Sequence, residues 1–348
     1  AASCRAWMLG LFGAALPVAA QAAAPMEVAA LPSDLSDLSL ADLMNIEITS
    51  VSRRPEPLKR AAAAIYALTG DDIRRSGARS LAEALRLVPG LHVARIGDIN
   101  THVVSSRGFS DRLSDKLEVL VDGRTVYTPL FSGVFWDSLD AFMPDIERIE
   151  VIRGPGAALW GTNAINGVIN IVTRKAADTQ DNLFYTGAGT EERSFAGLRS
   201  GGALGQRGSA RVYVKQFERD ALKTPDGQDS FNVMRMRQAG VRADLAPGEN
   251  QTLTLSGDIY DGAREDQFEF PPSIGDVEYS GGNLLTRWSR QLDGGSELSV
   301  QAYYDHSKRL IPTTVFRESR DIGDLEIRHQ VTLSDRHTLI YGFNYRHS

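Results

Sequence analysis

The chain has 348 residues, with 38 Lys and Arg against 44 Asp and Glu and a formal net charge of −6. That length suits about two domains, and 42% hydrophobic against 24% charged residues argues against intrinsic disorder. The acidic balance argues against a nucleic-acid-binding surface, and the lone cysteine, Cys4, excludes internal disulfides, cysteine-rich zinc sites and CxxC redox chemistry.

The first segment reads as a leader. Arg5 precedes an apolar run from Trp7 to Ala20, and Ala22, Ala23 and Ala24 follow, the pattern of a secretory signal peptide over residues 1–23. The run is too short for a spanning helix, which needs about 20 residues. No other stretch is long and apolar enough, so a membrane location requires a barrel of strands. The chain starts without Met, so its N-terminal end is expected to be incomplete.

Residues 24–60 form a polar lead-in. Ile46-Glu-Ile-Thr-Ser-Val51 alternates like a strand, and Pro55 and Pro57 keep the following chain extended.

Residues 61–178 read as α+β. A short helix, Asp71–Ser76, ends at Gly77. A second starts at Ser80, with Glu83 three residues on, carries Leu81, Leu85 and Val88 on one stripe, and stops at Pro89-Gly90. Strands are predicted at Leu91–Arg95, His102–Ser106, Leu117–Val121, Arg148–Arg153 and Gly167–Thr173. Asp122-Gly123 between two β-rich runs signals a hairpin.

The texture changes over residues 179–348. Ala210, Val212 and Val214 alternate with Arg211, Tyr213 and Lys215, and Leu339, Tyr341, Phe343 and Tyr345 repeat the pattern near the end. Turn residues at Gly205, Gly248, Gly294 and Asp335 are nearly evenly spaced, with polar stretches near 220–231, 263–277 and 309–320 expected to be long loops. About nine strands, joined alternately by short turns and long loops, match an antiparallel transmembrane β-barrel. A soluble sandwich or propeller is the alternative that periodicity alone leaves open.

Residues 46–174 resemble the plug domain of TonB-dependent outer-membrane receptors. The most specific stretch is Ile149-Glu-Val-Ile-Arg-Gly-Pro-Gly-Ala-Ala-Leu-Trp-Gly-Thr-Asn-Ala-Ile-Asn-Gly-Val-Ile-Asn-Ile-Val-Thr173. It contains Arg153, Gly154, Pro155, Gly161 and Gly167, and Arg107-Gly108-Phe109 and Val119-Leu-Val-Asp-Gly-Arg124 support it. Trp160 and Asn166 depart from the family's usual Tyr and Gly. The resemblance implies a plug filling a barrel of about 22 strands. With about nine strands and an end inside a strand, the chain is expected to be a fragment of that barrel.

The resemblance further implies energised import across the outer membrane, with the N-terminal segment and plug accessible from the periplasm. The partners would be TonB of the inner-membrane coupling complex, outer-membrane lipids and a large scarce nutrient. A ferric siderophore is the leading expectation, and cobalamin, haem and oligosaccharide stay open. A signalling receptor and a soluble periplasmic binding protein are the weaker alternatives. No enzyme, no cofactor, no metal site and no nucleic-acid partner is expected.

Ile46, Glu47, Ile48, Thr49, Ser50 and Val51 are the candidate TonB box. An extended segment can add to a partner's sheet edge through its backbone, and an ordinary linker or first strand is the plain alternative. Gly156 to Asn163 has Walker-like glycine spacing but lacks the lysine, so these glycines read as turn and packing positions. Arg107 and Arg153 are expected either to pair with wall carboxylates or to face solvent. His92 and His102 show no ligand spacing and are expected at the surface. Ligand contacts are expected from outward loops, naming Asp98, Asn100, Tyr127, Phe131, Phe135 and Trp136.

Overall fold

The computed structural model describes residues 47–48, 56–57, 64–95, 102–108, 115–155, 160–161, 163–223, 226–230, 232–269, 272–311, 316–334 and 337–348. The leader and most of the lead-in lie outside these residues. Within the lead-in, β1 (Glu47–Ile48) pairs antiparallel with β2 (Glu56–Pro57), and Ile48 is fully buried.

The inner domain is built on a five-stranded sheet. Its strands are β3 (Ile65–Thr69), β6 (Leu117–Val121), β7 (Arg124–Thr125), β8 (Ile146–Arg153) and β9 (Gly167–Thr173), in the order β3-β8-β9-β6-β7. Only the β6–β9 pair is parallel. A separate hairpin pairs β4 (Leu91–Arg95) with β5 (His102–Ser106).

Local chemistry explains the punctuation. Helix α1 (Gly70–Ser76) is capped by Thr69, whose Oγ1 accepts from Asp72 N at 3.1 Å while Asp72 accepts from Thr69 N at 3.0 Å, a reciprocal box. Gly77, at φ 73°, ends it in the left-handed region. Ser80 caps α2 (Leu81–Ala84) as predicted, although Glu83 accepts from Arg79 N and not from Ser80 N. That helix tightens into a 3₁₀ turn at Leu85–Leu87. Asp122 and Gly123, at φ 49° and 85°, make the predicted two-residue turn between β6 and β7. One face of the sheet carries Val119, Ile149, Val151, Ile169 and Ile171 and packs on Ile73, Leu81 and Leu85 of the helices.

The second part is a meander of nine strands, each paired with its neighbours in chain order. They are β10 (Asn182–Gly187), β11 (Glu192–Ala203), β12 (Gly208–Arg219), β13 (Met234–Leu245), β14 (Gln251–Glu269), β15 (Pro272–Gln291), β16 (Glu297–Ile311), β17 (Phe316–Ser334) and β18 (His337–His347). All pairs are antiparallel. Inward positions bear Arg211, Lys215, Gln238, Arg264, Asp305, Arg309 and Asp324, all buried, while Val212, Val214, Leu255, Ile259, Leu284, Leu325, Ile327 and Phe343 are exposed on the outer face. A sheet with its apolar side out and its charged side in is suited to lipid outside and a polar lumen inside. No helix among the described residues is long and apolar enough to cross a membrane.

Two loop expectations are corrected. Residues 263–269 belong to β14 and residues 272–277 to β15, which pair continuously from Gln251↔Arg290 to Glu269↔Pro272. Likewise β16 and β17 pair out to Ile311↔Phe316. These segments are polar because they lack an apolar face to hide, yet Arg264, Asp266 and Val277 still alternate inward, and that alternation sets the strand. The predicted turn at Asp335 lies outside the described residues.

Candidate functional site

Across the seam between the inner domain and the wall, every strand from β11 to β18 sends at least one arginine into the inner domain, and β12 sends a second, Arg219, which donates to Arg79 O at 3.2 Å. Arg199, Arg211, Arg242, Arg264 and Arg309 meet its carboxylates, Arg287 donates to Asp122 O, Arg320 to Tyr127 O, and Arg346 to Thr125 Oγ1 and Tyr127 Oη. Lys215 of β12 adds an ammonium group.

Four aspartates receive most of this charge, and local structure fixes each. Asp122 opens the β6–β7 turn. Its carboxylate accepts from Thr173 N at 2.9 Å and Thr173 Oγ1 at 2.7 Å, which holds it 3.5 Å from Arg242. At the neighbouring Gly123 a Cβ would stand 2.6 Å from Arg287 Nη2, so glycine lets the turn reach the wall. Asp145 closes a 3₁₀ turn (Met143–Asp145) and accepts from Arg199 Nη1 at 2.5 Å and pairs with Arg211 Nε at 2.8 Å. Asp140 pairs with Lys215 Nζ at 2.6 Å, and that ammonium also donates to Ala141 O.

Asp137 is the most enclosed. Arg309 donates to it through both Nη1 (2.9 Å) and Nη2 (2.6 Å), and Arg264 Nε lies 3.6 Å away. Burial pushes the Asp137 carboxyl upward, but Arg309 and Arg264 outweigh it and hold the group below the usual carboxylate range. Other pairs run the opposite way: Arg124 of the inner domain meets Asp305 of the wall, which Arg320 also approaches at 3.4 Å, while Arg79 lies 3.8 Å from Glu192 and Arg95 meets Glu191 just before β11.

Such pairs lose most of their Coulombic gain to desolvation, but removing one partner strands a buried charge. Their effect is therefore to fix where the inner domain sits. Among the described residues no group of three or more His, Cys, Asp or Glu could hold a metal ion.

The predicted site residues divide. Ile46, Thr49, Ser50, Val51, Asp98 and Asn100 lie outside the described residues. Tyr127 is half-buried under Arg346, with the guanidinium 5.7 Å from its ring. Phe131 and Phe135 pack edge to face at 5.0 Å. Trp136 is buried in the domain core instead of standing at a loop tip, because Val134 and Trp136 both turn inward after the hairpin. The exposed residues of that hairpin are Pro129 and Leu130, the latter 54% accessible.

Arg107 and Arg153 reach no wall carboxylate among the described residues. Arg107 Nη2 donates to Arg153 O at 3.1 Å, and Arg153 Nη1 donates to Pro89 O at 3.1 Å, so both tie the inner domain to itself. Gly108, Gly154 and Gly161 all have positive φ, Pro155 follows in the same turn, and Gly167 is pressed against Ile152 O. His102 is also corrected. It is buried on β5, and burial together with Arg95 and Arg219 lowers its pKa to about 4. His92 is exposed.

Sequence reasoning did not find the four aspartates. A signal was present: Arg211 and Lys215 alternate with Val212 and Val214 on a strand with an apolar outer face, and inward charges require counter-charges.

Residues 57–168 match the family model described as the TonB-dependent Receptor Plug Domain. The chain is 30% identical over 239 residues to the vitamin B12 transporter BtuB of Photobacterium profundum, covering 67% of this chain and 38% of that protein. It is 34% identical over 178 residues to the iron-regulated outer membrane virulence protein of Vibrio cholerae, covering 47% of this chain and 26% of that one. The chain thus spans about two-fifths or less of these relatives. In fold it matches the ferripyoverdine receptor of Pseudomonas aeruginosa, with TM-score 0.66, 14% identity, 86% of this chain and 44% of that one.

Proposed function

We propose a function from one premise: this chain belongs to the TonB-dependent receptors of the outer membrane, and it carries their plug and the strands that follow it. It is not an enzyme, since the relatives it matches are transporters and receptors. The protein takes up a large, scarce nutrient complex through the barrel, driven by TonB. Cobalamin is placed first, ahead of the ferric siderophore expected from sequence alone, because vitamin B12 transporters are among its curated relatives. A ferric chelate is the second reading, favoured by the likeness to the iron-regulated Vibrio protein.

The observation that supports transport is the charged seam. A plug held by ion pairs to β11, β12, β13, β14 and β16, and by arginine hydrogen bonds from β15, β17 and β18, closes this side of the lumen. A ligand of cobalamin's size passes only if the plug rearranges, and that needs work. The Ile46–Val51 segment is the proposed handle. Its Glu47–Ile48 step pairs with Glu56–Pro57, and strand addition to TonB would exchange that pairing for one with a partner.

The test uses the full-length protein in a receptor-deficient cell with intact TonB. Uptake of labelled cobalamin, ferric siderophores and haem is followed with and without a proton uncoupler. Uptake of one ligand, abolished by the uncoupler and by Ile48→Pro while surface binding persists, is expected. Uptake that ignores both overturns the proposal.

A further inference from the structure

We infer that Arg309, on the wall, is the positioning residue for the plug's ligand-facing hairpin. The inference rests on the reading of that hairpin as part of the ligand site.

The hairpin is short, and at its base Thr128 Oγ1 donates to Glu318 of β17 at 2.8 Å while Arg320 donates to Tyr127 O at 3.2 Å. Thr128 and Gly133 form an isolated antiparallel bridge, Thr128 N donating to Gly133 O at 2.8 Å. Ser132 is held at φ 56°, an uncommon conformation for a non-glycine residue. The tip presents exposed Leu130 beside half-buried Phe131. So small a loop has little core of its own, and its orientation must come from what it rests on.

It rests on Arg309. Phe131 packs edge-on against Phe135 at 5.0 Å. The Arg309 guanidinium lies 3.9 Å from the centre of the Phe135 ring, and Tyr279 lies 5.5 Å away from it. The same guanidinium forks onto both oxygens of Asp137, two residues beyond Phe135. One planar group thus fixes both the aromatic base and the acidic anchor of the segment, using its face for the first and its edge for the second. Lysine, a point charge without a face, cannot do both. Asp137 and Arg309 belong with Arg264 and Asp266 to a buried set of two acids and two bases, with Arg264 Nη2 donating to Asp266 at 2.9 Å. Removing Arg309 and Asp137 together therefore leaves the set neutral, which gives a variant expected to fold.

The experiment places a spin label at Leu130→Cys in the full-length receptor, with a second label at Arg75→Cys on the exposed face of α1 as reference. In the Asp137→Asn, Arg309→Met double variant the Leu130 label moves about threefold faster on the nanosecond scale, the Arg75 label is unchanged, and Arg309→Lys is intermediate. An unchanged Leu130 label, or equal loosening of both labels, overturns the inference. None of these readouts depends on ligand or on TonB, so they stand apart from the transport assay. If the tip loosens but the KM for the ligand taken up does not change, the hairpin is not ligand-facing and that part of the inference falls, while transport stands.

Discussion

The Asp145 carboxylate lies 2.8 Å from Arg211 Nε of β12, and its other oxygen accepts from Arg199 of β11 at 2.5 Å. One plug residue therefore joins two adjacent wall strands, and all three side chains are almost wholly inaccessible.

Replacing Asp145 with Ala leaves the buried Arg211 without its carboxylate, while Arg199 keeps Asp181. The expected loss is about 3–5 kcal/mol, the usual consequence of stranding a buried charge. It is read as a lower urea midpoint for plug unfolding in the full-length protein. A midpoint within error of wild type would show that water already screens the pair.

Gly167 begins β9, and a Cβ there would stand 2.3 Å from Ile152 O and 3.2 Å from Leu117. The first contact is with backbone, which cannot swing aside. Gly167→Ala should destabilise the plug by about 1–3 kcal/mol, as overpacking does. Gly189→Ala, where the nearest atom is Glu192 O at 3.5 Å, should stay within about 0.5 kcal/mol of wild type. Thermal melts of the two variants side by side decide it.

His102 carries a pH signature. Its pKa falls from 6.5 to about 4 in the folded protein, through burial first and then the nearby Arg95, Arg219 and Arg86. The neutral ring is favoured in the fold, so its contribution is complete above pH 6.5 and is lost as pH falls towards 4. The total is on the order of 3 kcal/mol. Plug stability measured between pH 7.5 and 4 should decline over that window, and His102→Gln should flatten the decline. A parallel decline in the variant would assign it to other groups.

Ile259, 57% accessible on the outer face of β14, stands where lipid is expected. Ile259→Arg should cost about 2–4 kcal/mol if the position lies near the bilayer midplane, read by unfolding in lipid vesicles. Ile327→Arg, at 40% accessibility on β17, should cost a similar amount. If both charges are tolerated, the outer face is not lipid-facing.

Signals carried by near neighbours in the chain were legible without a structure. The alternation of Val212 and Val214 with Arg211 and Lys215, the Asp122-Gly123 turn, the Ser80 cap and the bounds of β4, β5, β6 and β9 depend on residues a few positions apart. The stretch from Ile149 to Thr173 gave the family for the same reason, as an unbroken run. What the sequence could not determine was which charges meet. Asp137 and Arg309 are 172 positions apart, and the pair exists only because the wrapped sheet brings β16 over the loop after Phe135. His102 and Trp136, both expected at a surface, are buried, Trp136 by the plug's own core, and pairing between β14 and β15 keeps the polar residues 263–269 and 272–277 in strand. Periodicity says which way a side chain points along its own strand. What it points at depends on which part of the plug each strand lies against.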